Sequence, residues 1–433
     1  MTRVWRLLAV AALVAVAGCA AAPALSDGDD RLGYEDGYRY DDPVDVTPGD
    51  GYNESEREAV VARTMARVEQ IRELEFNQTV PVEVISREQY LANRSAANSS
   101  SAHSRWNDQV WEALFLVGEE TSYANSSDST LGASVQGYYS PSRDEIVLVS
   151  DSATPTIDRG TLAHELVHAL QDQQFGLDGG GDTQDRQLAS RSVTEGEARY
   201  VEAIYRNRCE SGWSCIPEPE SSGSTGTPSD YNRGLFLTIY TPYAAGPRLV
   251  DHVRSESGWS GVSELHDERP DSTEQVIHPE RYPDEQSVNV TVPDRSTGEW
   301  DRFDVDPVAD TVGEASVYAM LVANGAVDPE DRYGYRSTPS AGWGGDAVVP
   351  YTNGSTGAYV WESAWDSEAD ARQFADAYRE VLERYDARNP RGNVYVVPDG
   401  DFADAFRVVR DGTTVRVVNA PAVEDLSAVH GRR

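Results

Sequence analysis

The stretch Thr161-Leu-Ala-His-Glu-Leu-Val-His-Ala-Leu170 constrains the fold more than any other part of this chain. Coiled as a helix, it sets His164 and His168 one turn apart on the same face, where two imidazoles can grip one ion while Glu165 points at a water on that ion. The residues around them are all uncharged: Leu162, Leu166, Val167, Ala169 and Leu170 suit a helix whose polar stripe carries the ligands and whose remaining surface packs inside. The pattern therefore reads as a zinc site (Zn2+) of the hydrolytic kind, with Glu165 as the catalytic base.

Two protein ligands are too few for catalytic zinc, which usually takes three side chains and keeps one position for water. Val193-Thr-Glu-Gly-Glu-Ala-Arg-Tyr-Val-Glu-Ala-Ile-Tyr205 offers the next candidate, an acidic pair at the head of a second helical pattern. Glu-Gly-x-Ala downstream of HExxH resembles the glutamate helix of the gluzincin metallopeptidases, the thermolysin and aminopeptidase kind. That resemblance implies Glu195 as the third ligand. The spacing departs from the pattern, because 26 residues separate His168 from Glu195, including the glycine-rich run 176–182. Glu197, Asp172 and Asp182 are the substitutes. Further segments are similar to zincin-like proteins of bacteria and of halophilic archaeal surface lipoproteins: Gly137-Tyr-Tyr-Ser-Pro141, Ile146-Val-Leu148, Gln171-Asp-Gln-Gln174, Ser272 to Tyr282, and Ala341-Gly-Trp-Gly-Gly-Asp346. The resemblance spans residues 137 to 346 and implies a zincin-like metallopeptidase domain of α+β fold, to which the helix and strand pattern of the later residues adds an appended C-terminal α+β lobe. It supplies no substrate.

The formal net charge is -36, and all 37 cationic side chains are arginines. Such a surface stays soluble in concentrated salt, where repulsion is screened within roughly 3 Å at 1 M, and it fits a halophilic archaeal source. It argues against nucleic acid as a partner. Arg3 and Arg6, the apolar run from Leu7 to Ala17 and Val16-Ala-Gly-Cys19 read as a lipoprotein signal peptide, with Cys19 taking the lipid at the outer face of the cytoplasmic membrane. Residues 20–53 lack apolar periodicity and read as a disordered acidic tether. Cys209 and Cys215 are the other cysteines, and outside the cell they are expected as a disulfide.

The expected organisation is signal peptide 1–19, tether 20–53, metallopeptidase domain 54–300 and lobe 301–433. Helical spacing covers Ser55 to Leu74, Ser104 to Val117, Leu235 to Ser255 with a break near Gly258, Asp310 to Asn324, and Ser367 to Tyr385. Strands are expected at Val80 to Ile85, through Gly137 to Ser150, at Tyr359 to Trp365 and Val394 to Val397, and in a hairpin across Asp411-Gly412. The strand Ile146 to Val149 is a candidate edge for pairing with an extended peptide. Trp343-Gly-Gly-Asp346 reads as a turn.

These readings combine into an exported, lipid-anchored zinc peptidase acting on a peptide or protein substrate, with the membrane engaged only through the lipid. Zinc would lower the pKa of its water from 15.7 toward about 7, and Glu165 would take that proton and hand it to the leaving amine. His278, or Tyr282 beside it, is the candidate second electrophile. The rival reading is a non-catalytic cell-surface binding or envelope-structural protein that keeps the scaffold.

Overall fold

The computed structural model describes residues 31–95, 102–131, 135–152, 154–177, 180–218 and 231–431. The signal peptide and Cys19 lie outside them. In chain order the named elements are β1 Tyr34–Glu35, β2 Tyr38–Arg39, α1 Glu54–Arg72, β3 Val82–Ile85, α2 Arg87–Ser95, α3 Ala102–Ala113, α4 Tyr123–Leu131, β4 Gly137–Ser140, β5 Glu145–Val149, α5 Arg159–Phe175, α6 Gln184–Ser211, α7 Arg233–Ala244, α8 Gly246–Asp267, α9 Thr273–Ile277, β6 Asp301–Arg302, α10 Gly313–Ala323, β7 Trp343–Thr352, β8 Gly357–Trp365, α11 Glu368–Arg384, β9 Arg388–Arg391, β10 Val394–Val396, β11 Ala405–Asp411, β12 Thr414–Ala420 and α12 Leu426–Val429. The chain is a mixed α and β protein, as expected.

Local chemistry sets the helix boundaries. Asn53 closes a capping box with Glu56 at the head of α1, Asp158 caps α5, Thr183 caps α6 and Ser367 caps α11, each accepting from a backbone N–H of the first turn. Gly258, at φ 67°, kinks α8 where the sequence expects a break, and the helix then resumes to Asp267.

One core joins α1, α5, α6 and α8 to a three-stranded sheet of order β3-β5-β4, in which β3 runs parallel and β4 antiparallel to β5. Leu162, Leu166, Val167 and Leu170 of α5 are all fully buried there, each contributing roughly 1.5–3 kcal/mol. β5 is thus the middle strand, with β3 and β4 at the edges, which corrects the expectation that Ile146 to Val149 is free to pair. The second core lies on one face of the seven-stranded antiparallel sheet, of order β6-β7-β8-β12-β11-β10-β9. Trp106, Val110 and Trp111 of α3 pack into it beside α10 and α11. The C-terminal lobe is therefore not confined to residues 301–433, because the apolar stripe of α3 finds its cover on that sheet.

Two further expectations change. Residues 31–53 are not a loose tether: β1 and β2 form a hairpin on α1, and Tyr52 is buried. The cause is α1 itself, a helix with buried polar groups that require partners. Arg67 donates to the Tyr40 carbonyl (2.8 Å), and Glu69 accepts from the Gly33 N–H (2.7 Å). Trp343 to Asp346 is not a turn but the start of β7, buried along nine of its ten residues. A Cβ on Gly345 would stand 2.2 Å from the Val288 carbonyl oxygen, so glycine serves here to let residues 287–288 pack against a strand. Asp346 caps the start of α10, accepting from the Val312 N–H and the Trp343 indole (2.9 Å each).

Candidate metal centre

α5 presents His164 and His168 to α6, which brings Glu195. The glycine after Glu195 has a packing reason: a Cβ on Gly196 would stand 2.5 Å from the Gly246 carbonyl carbon, and one on Gly246 would stand 2.3 Å from the Ser192 oxygen. Backbone meets backbone where α6 crosses the start of α8, and α7, just ahead of it, sets Tyr243 against the site.

The three side chains converge. His164 Nε2 lies 3.3 Å from Glu195 Oε2, His168 Nε2 lies 3.3 Å from the same oxygen, and the two Nε2 atoms are 3.1 Å apart. Ligands at about 2.0–2.1 Å from one tetrahedral ion stand roughly 3.3 Å apart, so the donor atoms already lie along the edges of a zinc-sized tetrahedron. Two imidazoles and a carboxylate are also the donor chemistry that zinc takes in open sites, and the set fits the ion.

The histidines are held from behind. His168 Nδ1 meets Gln171 Oε1 (2.9 Å), and Gln171 Nε2 donates to Glu197 (2.7 Å) and to the Thr194 carbonyl (3.0 Å). Glu197 in turn pairs with Arg72 and lies 2.7 Å from His266, all three fully or nearly fully buried. On the other side His164 Nδ1 stands 3.3 Å from Glu202, an ion-pair distance without hydrogen-bond alignment, and Glu202 is fixed by Arg199 and Arg206. Such partners choose the tautomer that leaves Nε2 free for an ion. Burial alone would lower the His168 pKa, yet Glu195 beside it pushes it up to about 9. Burial would likewise raise Glu195, but the two imidazoles hold it well below the usual carboxylate range. The trio shares a position for positive charge, for which a proton and a divalent ion compete.

Glu165 takes the Tyr139 N–H of β4 on Oε2 (2.8 Å), and burial pushes its carboxyl above the ordinary glutamate range against the pull of both histidines. A cavity of about 330 Å³ opens at His168, Glu195, Tyr139, Thr194 and Tyr243. Its neighbour, about 640 Å³, reaches Trp106 and Trp111, and Arg191 and Ile239 line both.

The remaining expected residues lie elsewhere. Glu197 meets Gln171, Arg72 and His266 and does not join the trio. Asp172 accepts from the Tyr139 hydroxyl (2.8 Å), and Asp182 lines the larger cavity. His278 does not line the cavity at the histidine pair: its Nε2 is 3.2 Å from buried Glu314 and its Nδ1 3.7 Å from Glu280, at the end of α9. Tyr282 donates to the Glu268 carbonyl (2.6 Å). The second-electrophile assignment is therefore corrected, since a histidine ahead of a proline ends a short helix here. Tyr243 is the residue the sequence did not flag. Its phenol is raised by burial and by Glu195 beside it, and its ring stacks at 6.4 Å on His164. No local pattern marks a tyrosine on a separate helix. Cys209 and Cys215 form a disulfide.

Residues 301–430 match a family described as a domain of unknown function, DUF8575. That stretch carries the large sheet and leaves His164, His168 and Glu195 outside it. No curated protein and no solved structure gives a match to the chain. Among the described residues no helix is long and apolar enough to cross a membrane.

Proposed function

We propose that this chain is a zinc-dependent peptidase, exported and held at the outer face of the membrane by a lipid on Cys19. The observation that carries the reading is the convergence of His164, His168 and Glu195 at 3.1–3.3 Å, with Glu165 held beside them. A zinc ion held by these three would polarise a peptide carbonyl and make its water acidic.

The chain's own residues supply the rest. Glu165, kept in place by the β4 backbone and raised by burial, is suited to accept a proton and to return it to a leaving amine. Tyr243 faces the third ligand across the cavity, where a phenol can donate to a developing negative charge. β4 is an edge of its sheet and, unlike the opposite edge β3, lines the cavity through Tyr139, so pairing with an extended peptide backbone falls to this strand. Walls from α3, α6 and α7 leave room on the side of the larger cavity for several residues of substrate.

Arg191 lines both cavities and pairs with no carboxylate among the described residues, in a chain with acids to spare. It is placed to receive a carboxylate or carbonyl of the substrate. Arg191→Ala is expected to lower kcat/KM by roughly ten- to a hundredfold, mainly through KM, as expected for loss of a charged hydrogen bond. Unchanged KM across neutral and acidic peptides would remove Arg191 from the binding site.

The reading as a whole is tested by elemental analysis of the purified chain and by its action on an unfolded protein in molar KCl. About one zinc per chain and chelator-sensitive cleavage are expected. Zinc without cleavage would favour the binding-protein reading, and His164→Ala that retained full zinc would overturn the site itself.

A further inference from the structure

A different set of donors meets where α3 joins the large sheet. Glu112 at the end of α3, Glu119 in the loop after it and Asp404 just before β11 bring one carboxylate oxygen each to within 4.8 Å of one another. The backbone holds them there: the Glu119 N–H donates to the Asp401 carbonyl (3.1 Å), and Gly118 sits so close that a Cβ would stand 2.4 Å from that of Asp401. Glu112 and Asp404 are 4% and 2% exposed. Among the described residues no guanidinium or imidazole neutralises the three. The group Glu274, Glu285 and Asp366 is the contrast, since it closes around the Arg281 guanidinium and needs nothing more.

A second observation points to a missing ligand. Asp404 Oδ1, Asn419 Oδ1 and Gln109 Oε1 are buried oxygens without a donor. The amides cannot be turned to satisfy them: Asn419 Nδ2 already donates to Asp404 Oδ2 (2.7 Å) and Gln109 Nε2 to Glu112, so a flip would set oxygen against oxygen. Every unsatisfied side-chain atom of the group is an acceptor. Burial, with Asp404 and Glu119 beside it, pushes the Glu112 carboxyl well above its ordinary range, and burial pushes Asp404 up to about 7. Such a group is relieved by shared protons or by a cation.

We propose that Glu112, Glu119 and Asp404, with the Gln109 side-chain oxygen, bind a calcium ion that clips α3 to the C-terminal sheet. The donors are all oxygen, which suits a hard cation and not zinc. Calcium accepts about six to eight oxygen ligands in flexible geometry, whereas magnesium demands a near-ideal octahedron and keeps several waters, so a mixed carboxylate and amide cage favours calcium. A cavity of about 280 Å³ lined by Gln109, Glu112, Glu119 and Thr121 gives access from solvent. The ion would steady the helix that carries Trp106 and Trp111 into the larger cavity beside the zinc centre, and the inference does not depend on that centre being catalytic.

The full chain, stripped with EDTA and reloaded with one equivalent of zinc, is titrated calorimetrically with calcium chloride in molar KCl. One calcium per chain and a rise of several degrees in Tm are expected, with both lost in Glu112→Gln/Asp404→Asn at unchanged zinc content. If that variant fails to fold, a wild-type crystal soaked in terbium decides: an anomalous peak among the three carboxylates supports the site. No heat and no peak, or calcium binding that survives in a folded double variant, overturns it in favour of shared protons.

Discussion

Glu165→Gln is expected to lower turnover about a thousandfold while zinc content, Tm and substrate KM change little. Glutamine keeps the acceptor oxygen for the Tyr139 N–H and fills the same space, so the packing of α5 against the small sheet is preserved. What it cannot do is take up a proton, and positioned general bases contribute about 10²–10⁴ in rate. Both readouts are needed: cleavage of an unfolded protein at saturating substrate, and metal by elemental analysis. A variant with wild-type turnover would take Glu165 out of the chemistry, and one that lost zinc as well would make the residue structural.

The largest stability effect is expected at a position remote from any substrate. Arg72 is the only cation paired with Glu197 besides His266 among the described residues, and it also donates to the Ser263 hydroxyl (2.9 Å) and lies 4.8 Å over the Trp259 ring. Arg72→Met retains the volume but strands a buried carboxylate, at a cost of about 3–5 kcal/mol. The same change loosens Gln171, which orients His168, so zinc affinity is expected to fall by about ten- to a hundredfold. Chemical denaturation of the single variant and of Arg72→Met/Glu197→Gln separates the contributions. The double variant is expected to recover more than half of the loss, because the cost lies in the orphaned charge. A single variant within 1 kcal/mol of wild type would show that Glu197 finds another partner.

The convergence of His164, His168 and Glu195 was legible because each sits in a short local pattern. His164 and His168 announce themselves by spacing on one helix, and Glu195 by a Glu-Gly-x-Ala resemblance whose glycine the crossing of α6 and α8 requires. The supports were not legible. Arg72, Glu202, Tyr243 and His266 come from separate helices or lie beyond any repeating pattern, and only tertiary packing brings them to the histidines. His278 misled for the opposite reason, since a histidine among apolar residues carries no sign of whether Glu314 or a substrate lies beside it. The same distinction runs through the fold. Periodic helices such as α1 and α11 and the β11–β12 hairpin lie where their sequences place them. The hairpin at 34–39 and the strand at 343–352 escaped notice because a tyrosine-rich, aperiodic stretch and a Gly-Gly pair take their conformation from what they touch.

The face-to-face glycines at 196 and 246 have a consequence for the ion site proposed above. With no side chain to act as a spacer, the backbones of α6 and α8 lock together at the residue next to Glu195, so that carboxylate leaves a braced backbone, while its reach toward the imidazoles depends on how α6 packs on α5. An ion bound at the proposed site would thus meet a carboxylate carried on braced scaffolding, and such a pocket would select among cations by geometry as well as by ligand type.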